Sequence, residues 1–592
     1  MPSPAAQAMT PNFDPTLPFV LLDDARAGTA RLFTELTAVV QAEAPTRVVP
    51  ALAALRDLGG ERAGFIGFEA GYALEPRLAP LFRMPDDGLP LLWFGRFNQV
   101  RHLDEGAIDA LLDAGPAELT VAIPAVERAD YDTMIARIAA LIEAGDIYQA
   151  NATFAASVET HGHPLALYRR LRKAQAASYC ALIYTGQRWI LSLSPELFFK
   201  LEAGRITTRP MKGTAPRGVT ATADDAAAAA LAADPKNRTE NLMIVDLLRN
   251  DLSRVAVPGS VATPALFEVE RYPTVLQMTS TVTADVRTGI DAVGVLMALF
   301  PCGSVTGAPK LRAMEVIADV EAKPRGLYTG SIGWLGKDGD ATLNVAIRTL
   351  VMQKSGGARM GLGSGIVADS GKASEWDECI GKAAFLTRRV GPIDLIETMR
   401  CDQDVIAHRQ RHLDRLMASA IFLGHRLDRG EVEAAIELQR LRLAGGTGRI
   451  RLLVSASGAI AVQISPLPAA PTEPAVVALA PLPVDATDWR LSHKTSDRAF
   501  YDDARRIAGT FEVVFVRPDG RITEGSFTSV FVERNGLLLT PPLADGLLPG
   551  ILRAALLTER RAVEAPLTVA DLENGFLIGN ALRGLLRAKI SL

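Results

Sequence analysis

The stretch DYDTMIARIAALIEAGDIYQANATFAASV, residues 130–158, carries two periods in one run. Met134, Ile135, Ile138, Leu141 and Ile142 recur at helical spacing, and Gly145 stops the pattern. From Tyr148 to Val158 the run reads as a strand. Working outward, TENLMIVDLLRNDL (239–252) has a helical pattern, and TLNVAIRTLVM (342–352) reads as one strand. The strand leads into a Gly-rich loop, GLGSG (361–365), and a second helix over roughly 372–388. The Ala-rich stretch 223–233 reads as an exposed helix or a surface insertion. At GPIDLIETMR (391–400) the character of the sequence changes, which sets the main boundary near residue 390 and predicts domains 1–390 and 391–592. Within the second, PLPAAPTEP (466–474) is a Pro/Ala linker between two smaller lobes.

A chain of 592 residues is too long for one ordinary core, and 48% apolar with 22% charged residues is the balance of a soluble globular protein. A formal net charge of −4 gives no reason to expect a nucleic-acid partner. The four cysteines, Cys180, Cys302, Cys379 and Cys401, contain no CxxC pair, which argues against a zinc site or a disulfide framework and fits a reducing cytosol. The opening MPSPAAQAMTPNFDPT has neither a basic nor an apolar leader region, and no run reaches the roughly 18–20 apolar residues of a membrane helix. The expectation is a cytoplasmic protein with no membrane partner.

Before residue 390 stand GDIYQAN (145–151), SPELFF (194–199), RPMKGT (209–214), ENLMIVDLLRND (240–251), PCGSVTGAPK (301–310), RGLYTGSIGW (325–334), AIRT (346–349), GSGIVADS (363–370) and EWDE (375–378). In this order they resemble the chorismate-utilising enzymes, among them anthranilate, isochorismate, salicylate and aminodeoxychorismate synthases. The resemblance implies an α+β domain of antiparallel sheets flanked by helices, with chorismate as substrate. It also implies a catalytic acid at Glu196, substrate contacts at Thr306, Tyr328, Arg348, Gly363 and Gly365, and Mg²⁺ on Glu240, Glu375 and Glu378.

The chemistry of the residues agrees. Glu375 and Glu378 are three apart and share a helix face, which alone is usually a solvated face; with Glu240 on another helix they suit Mg²⁺, which takes carboxylates, waters and a substrate anion. Arg348 can meet a carboxylate with two N–H groups. Gly363 and Gly365 let backbone amides approach an anion. Glu196 needs a raised pKa to hold a proton at neutral pH. Lys212 stands in RPMKGT where anthranilate synthases carry alanine; a neutral lysine there can attack C2 of chorismate and expel the C4 hydroxyl, after which ammonia adds at C4. Gln149 stands where isochorismate and salicylate synthases carry a water-activating lysine, and glutamine is no base. Two departures are visible: Asn237 replaces an acid, and Gln277 replaces a histidine. None of the cysteines sits in a nucleophile elbow, so ammonia is expected from a separate glutamine amidotransferase subunit, or free.

Beyond residue 390, IETMR (396–400), HLDRL (412–416), HKTSDRAFYDDA (493–504), DGRITEGSFTSVF (519–531), TPPLADGLLPGILR (540–553) and IGNALRG (578–584) resemble the fold-type-IV pyridoxal-phosphate enzymes, including aminodeoxychorismate lyase. The resemblance implies a two-lobed domain with Lys494 as the Schiff-base lysine and Glu524 beside the pyridine nitrogen. Arg415, Gly550 and Ile551 would hold the phosphate. Alone, Arg415 reads as an i,i+4 salt bridge and Glu524 as a turn carboxylate. The unit lacks the usual first strand, and Ser529 and Leu552 depart from common residues of the family. Three readings stay open: a bifunctional enzyme, a synthase with a non-catalytic C-terminal module, and an anthranilate or isochorismate synthase, against which Lys212 and Gln149 speak.

Overall fold

The computed structural model describes residues 13–218, 221–272, 275–354, 356–387 and 393–591; the first twelve residues and the boundary expected near 390 lie outside them. The chain divides into two compact units, one of residues 1–215 with 230–390, the other of 216–229 with 391–592. The Ala-rich stretch is helical over Ala221–Ala233, but Asp224, Ala228 and Leu231 are buried, so one side of it is covered.

In the first unit, helix α1 (Arg128–Glu143) buries Tyr131, Met134, Ile135 and Ile138, the face its apolar spacing predicts. Gly145 at φ +78° turns the chain, a conformation that glycine adopts without a Cβ penalty. Strand β1 (Gln149–Val158) follows. Further along come β2 (Met211–Pro216), helix α2 (Pro235–Ser253) and β3 (Val275–Asp285). Asp234 caps α2 by accepting from Asn237 N at 2.8 Å, with Pro235 in the first turn, where its missing N–H is harmless.

The expected single strand over 342–352 is two, β4 (Ala341–Asn344) and β5 (Thr349–Met352). Arg348 lies between them at φ +51°, a left-handed conformation that costs a non-glycine residue about 1 kcal/mol or more and ends the strand. The expected Gly-rich loop is strand β6 (Ala358–Ile366), and the following helix α3 (Lys372–Gly381) is shorter than expected. All of these strands belong to one sheet system that closes into a barrel.

β6 runs antiparallel to β1, pairing Gly361 with Ala155, Gly363 with Thr153 and Gly365 with Asn151. Side chains alternate across a strand, so this register sorts the two faces. Ala150, Ala152, Phe154, Ala156 and Val158 join Met360, Leu362 and Ile366 in the core against α1. Gln149, Asn151 and Thr153 share the opposite face with the three glycines.

The second unit holds two sheets. The first includes β7 (Leu395–Asp402), β8 (Gly448–Val454) and β9 (Ile460–Ser465), with helix α4 (Arg409–Leu423) packed against it. The segment 466–474 leads out of this sheet into the second, which is eight-stranded and mixed and begins with β10 (Ala475–Pro481). Helix α5 (Ala499–Ala508), strands β11 (Glu512–Val516), β12 (Ile522–Gly525) and β13 (Ser529–Arg534), and helix α6 (Ile551–Thr558) complete the parts that matter below.

Candidate functional site

The glycines of β6 are there for space. A Cβ on Gly365 would lie 2.6 Å from Lys212 Nζ and 2.9 Å from Gln149 Nε2, so the two side chains converge on that bare backbone. A Cβ on Gly361 would lie 2.0 Å from the Tyr328 ring. Both amide atoms of Gln149 are buried without a hydrogen-bond partner. A buried, unpaired amide is costly and is a mark of a group that waits for a ligand. A cavity of about 160 Å³ opens beside Tyr328, Thr153 and Gly361; Lys212 and Glu196 do not line it.

Lys212, on β2, is half-buried and makes no ion pair among the described residues. Burial lowers its pKa, the ammonium of Lys382 adds to this, and Glu240, Glu378 and Glu196 oppose it without reversing it. Glu196 is buried and accepts from Ser304 Oγ at 2.6 Å. Burial pushes its carboxyl up to about 7, despite that hydrogen bond and the pull of Lys212 and Lys382. Arg348 also has no carboxylate within ion-pair distance among the described residues, and burial lowers its pKa. Tyr328 is near enough to act on it electrostatically.

Two expected contacts have other engagements. The Thr306 hydroxyl bonds to the carbonyls of Cys302 and Gly303, at 3.2 and 3.1 Å. Gly363 sits inside a ladder rather than a loop, and its carbonyl accepts from Lys382 Nζ at 2.8 Å. Lys382 and Ser304 were missed in the sequence; Lys382 is detectable there as the i+4 partner of Glu378, and Ser304 has no signal beyond its motif.

The three expected metal carboxylates are only partly assembled. Glu240 is raised by burial first, and Glu375 and Asp369 add to that, so these acids share a field. Glu378 instead pairs with Lys382 at 2.7 Å. Burial alone would raise its carboxyl, but Lys382 wins and holds it low. Among the described residues no three His, Cys, Asp or Glu side chains gather at metal-ligating distance. Carboxylate oxygens that act on one another, as those of Glu240 and Glu375 do, suit Mg²⁺, which commonly takes one or two carboxylates and completes its shell with water and substrate.

In the second unit Lys494 follows the buried His493, and its backbone carbonyl accepts from Ile396 N at 2.8 Å, which ties it to β7. Burial pushes its amine down to about 7; Arg415, Arg498 and Arg451 add to this, and Glu397 opposes it. Its Nζ makes no ion pair among the described residues. Glu524, on β12, is buried and accepts from Tyr501 Oη at 2.5 Å. Burial raises it to about 7 against that bond and one from the Leu548 amide.

Arg415 does not make the i,i+4 bridge that its sequence neighbours alone suggest. Its Nε and Nη2 each donate to Glu397 at 2.8 Å, so its main ion pair is across elements and not i,i+4. His412 Nδ1 lies 2.7 Å from the same carboxylate. Burial would raise Glu397, but Arg415 and His412 hold it far below the carboxylate range. Arg415 Nη1 reaches Pro549 O at 3.1 Å, which keeps the guanidinium beside the start of α6. The Gly550 amide is taken by Leu548 O at 2.7 Å, so the first-turn amides of Ile551 and its neighbour are the ones left without a helical partner. A Cβ on Gly550 would lie 2.5 Å from Ser529 Oγ, a cradle that only glycine leaves open. An amine near neutrality, a buried carboxyl and a helix start beside an arginine form a donor set that fits pyridoxal phosphate. Glu397, His412, Arg498 and Tyr501 were missed as site residues although each lies in a quoted motif.

Two family models match the chain, and the first runs through 216–229, which the compact units group with the second. A family model described as chorismate binding enzyme matches residues 17–388, and one described as amino-transferase class IV matches 394–590. Over 257 residues the chain is 43% identical to an aminodeoxychorismate synthase component 1 from Klebsiella aerogenes, covering 43% of this chain and 57% of the relative. It is 40% identical over 263 residues to an anthranilate synthase component 1 from Pseudomonas aeruginosa, covering 44% of this chain and 53% of the relative. The chain thus spans about half the length of these curated relatives. The crystal structure of anthranilate synthase component I from Streptococcus pneumoniae superposes with a TM-score of 0.53 at 26% identity, over 61% of this chain and 92% of that one.

Proposed function

Because this chain belongs to the chorismate binding enzyme family, we propose that it makes 4-aminobenzoate from chorismate and ammonia, one step in each compact unit. The observation that carries the first step is Lys212, an amine freed of ion pairs beside a carboxyl raised to about 7, Glu196. Relatives of both kinds align over a similar length at about 40% identity, so the assignment rests on this pair and not on identity.

Lys212 attacks C2 of chorismate through its neutral amine. The C2–N bond forms, both ring double bonds shift around C1, C6 and C5, and the C4–O bond breaks. Glu196 gives its proton to the departing hydroxyl, which leaves as water. Ammonia then bonds to C4 and expels Lys212 from C2, giving 4-amino-4-deoxychorismate. Arg348 and Tyr328 hold a substrate carboxylate, and the unpartnered amide of Gln149 meets a polar group of substrate or ammonia. Glu240 and Glu375 would hold Mg²⁺ with waters and the second carboxylate. The ammonia comes from a separate amidotransferase subunit.

In the second unit Lys494 would carry pyridoxal phosphate, with Glu524 at the ring nitrogen and Arg415 and the Ile551 amide at the phosphate. The bound group supplies an electron sink for the carbanion at C4. Lys494, an amine near neutrality, takes the C4 proton. Loss of pyruvate from C3 makes the ring aromatic.

The test is one incubation: purified protein with chorismate, ammonium, Mg²⁺ and pyridoxal phosphate, products identified by mass. The expected products are 4-aminobenzoate and pyruvate. Anthranilate or isochorismate would overturn the first assignment. Accumulated 4-amino-4-deoxychorismate without pyruvate would leave the second unit a non-catalytic module.

A further inference from the structure

The mechanism above uses neither Asn237 nor Gln277, the two departures read from the sequence resemblance. In the fold they meet at one residue. Gln277, on β3, donates from Nε2 to Gly213 O at 2.8 Å and accepts from Thr214 Oγ1 at 3.0 Å. Asn237, in the first turn of α2, packs on the same glycine: Gly213 has φ +95°, and a Cβ there would lie 2.9 Å from Asn237 Oδ1. Asn237 is itself fixed, with Nδ2 donating to Asp234 Oδ2 at 2.8 Å. The residue before Gly213 is Lys212.

We propose that Gln277 and Asn237 are positioning residues for Lys212 that act together through Gly213; this rests on Lys212 being the nucleophile of the first step. A glycine at positive φ gives the chain freedom just where the lysine must be aimed. The two amides remove it. Gln277 must donate to a carbonyl and accept from a hydroxyl at once. An amide does so at every pH, whereas an imidazole does so only when neutral. At 237 a carboxylate could not donate to Asp234 and would set like charges at hydrogen-bond distance. The two departures therefore suit each other and the same segment.

The test uses the full chain with Mg²⁺, chorismate and ammonium chloride. Gln277→Ala is expected to lower kcat for the aminated product roughly 10- to 100-fold, the scale of a misplaced reacting group, with the KM for chorismate within about twofold. Relative to wild type at the same pH, Gln277→His is expected to regain most of that rate above about pH 6.5 and to lose it below, as the imidazole takes a proton. A role in folding alone would not produce that limb, and this variant carries the test if Gln277→Ala does not fold. Adding Asn237→Ala to Gln277→Ala is expected to cost less than the product of the single losses. Wild-type kcat in Gln277→Ala, a pH-independent Gln277→His, or strictly multiplicative losses would each overturn the proposal. A wild-type chain that makes no aminated product would overturn the synthase reading first, and this inference with it.

Discussion

Lys212 and Lys494 are both lysines whose amines burial drives toward neutrality, yet their surroundings differ in kind. Around Lys212 the field is mixed: Lys382 assists, and Glu240, Glu378 and Glu196 oppose. Around Lys494 it is mainly cationic, with Arg415, Arg498 and Arg451 against one carboxylate that is already bonded to Arg415 and His412. Burial does the work in both, and the charges decide how much it achieves. The lysine proposed to attack and later leave has carboxylates beside it, one of which, in that scheme, protonates the departing hydroxyl. The lysine proposed to hold an anionic cofactor and act as a base is set among guanidiniums.

The hardest blow to this contrast is removal of each amine. Lys212→Ala is expected to cut amination of chorismate by at least ~10³-fold while supplied 4-amino-4-deoxychorismate is still converted. Lys494→Ala should do the reverse and abolish the cofactor's visible absorbance. If either variant loses both activities, the two sites are not independent.

Smaller effects follow from the two carboxylates proposed to hold Mg²⁺ in the first unit. Glu240→Ala and Glu375→Ala should raise the chorismate KM on the order of tenfold and blunt the response to Mg²⁺, leaving conversion of supplied intermediate unchanged. Amination that proceeds unaltered in EDTA would remove the metal from the scheme.

Two glycines separate space from stability. In Gly365→Ala the new methyl meets the mobile end of Lys212 at 2.6 Å, so amination should fall about tenfold while Tm barely moves. In Gly361→Ala it meets the Tyr328 ring at 2.0 Å, and thermal denaturation should report a loss of roughly 1–3 kcal/mol.

The finest test compares the two carboxyls near 7. Ser304 donates to Glu196 and Tyr501 to Glu524, and each bond favours the charged form. Removing a donor must therefore raise the carboxyl's pKa. Ser304→Ala should shift the alkaline limb of amination, where Glu196 loses its proton, upward by about half to one pH unit. Tyr501→Phe should leave Glu524 protonated to higher pH and weaken pyridoxal phosphate binding a few-fold at neutral pH, read by absorbance titration. A shift to lower pH in either would reverse the electrostatic account.

Much of this was legible in the chain. The period change across residues 130–158 announced helix then strand, and the two sets of motifs brought Lys212, Glu196, Lys494 and Glu524 into view. What misled was local appearance. GLGSG has the composition of a loop, but its glycines make room for Tyr328 and Lys212 inside a strand. TLNVAIRTLVM has strand composition throughout, yet Arg348 takes a left-handed turn that composition does not signal.

The sequence by itself determined which residue types were available and in what order, because hydrophobic period, capping and motif spacing are properties of neighbours along the chain. Only the tertiary structure decided partnership: that Glu378 goes to Lys382, that Arg415 goes to Glu397, and that Asn237 and Gln277, forty residues apart, close on Gly213. Burial and charge act through space, and the same fold that removes water from a lysine also selects which ions remain beside it.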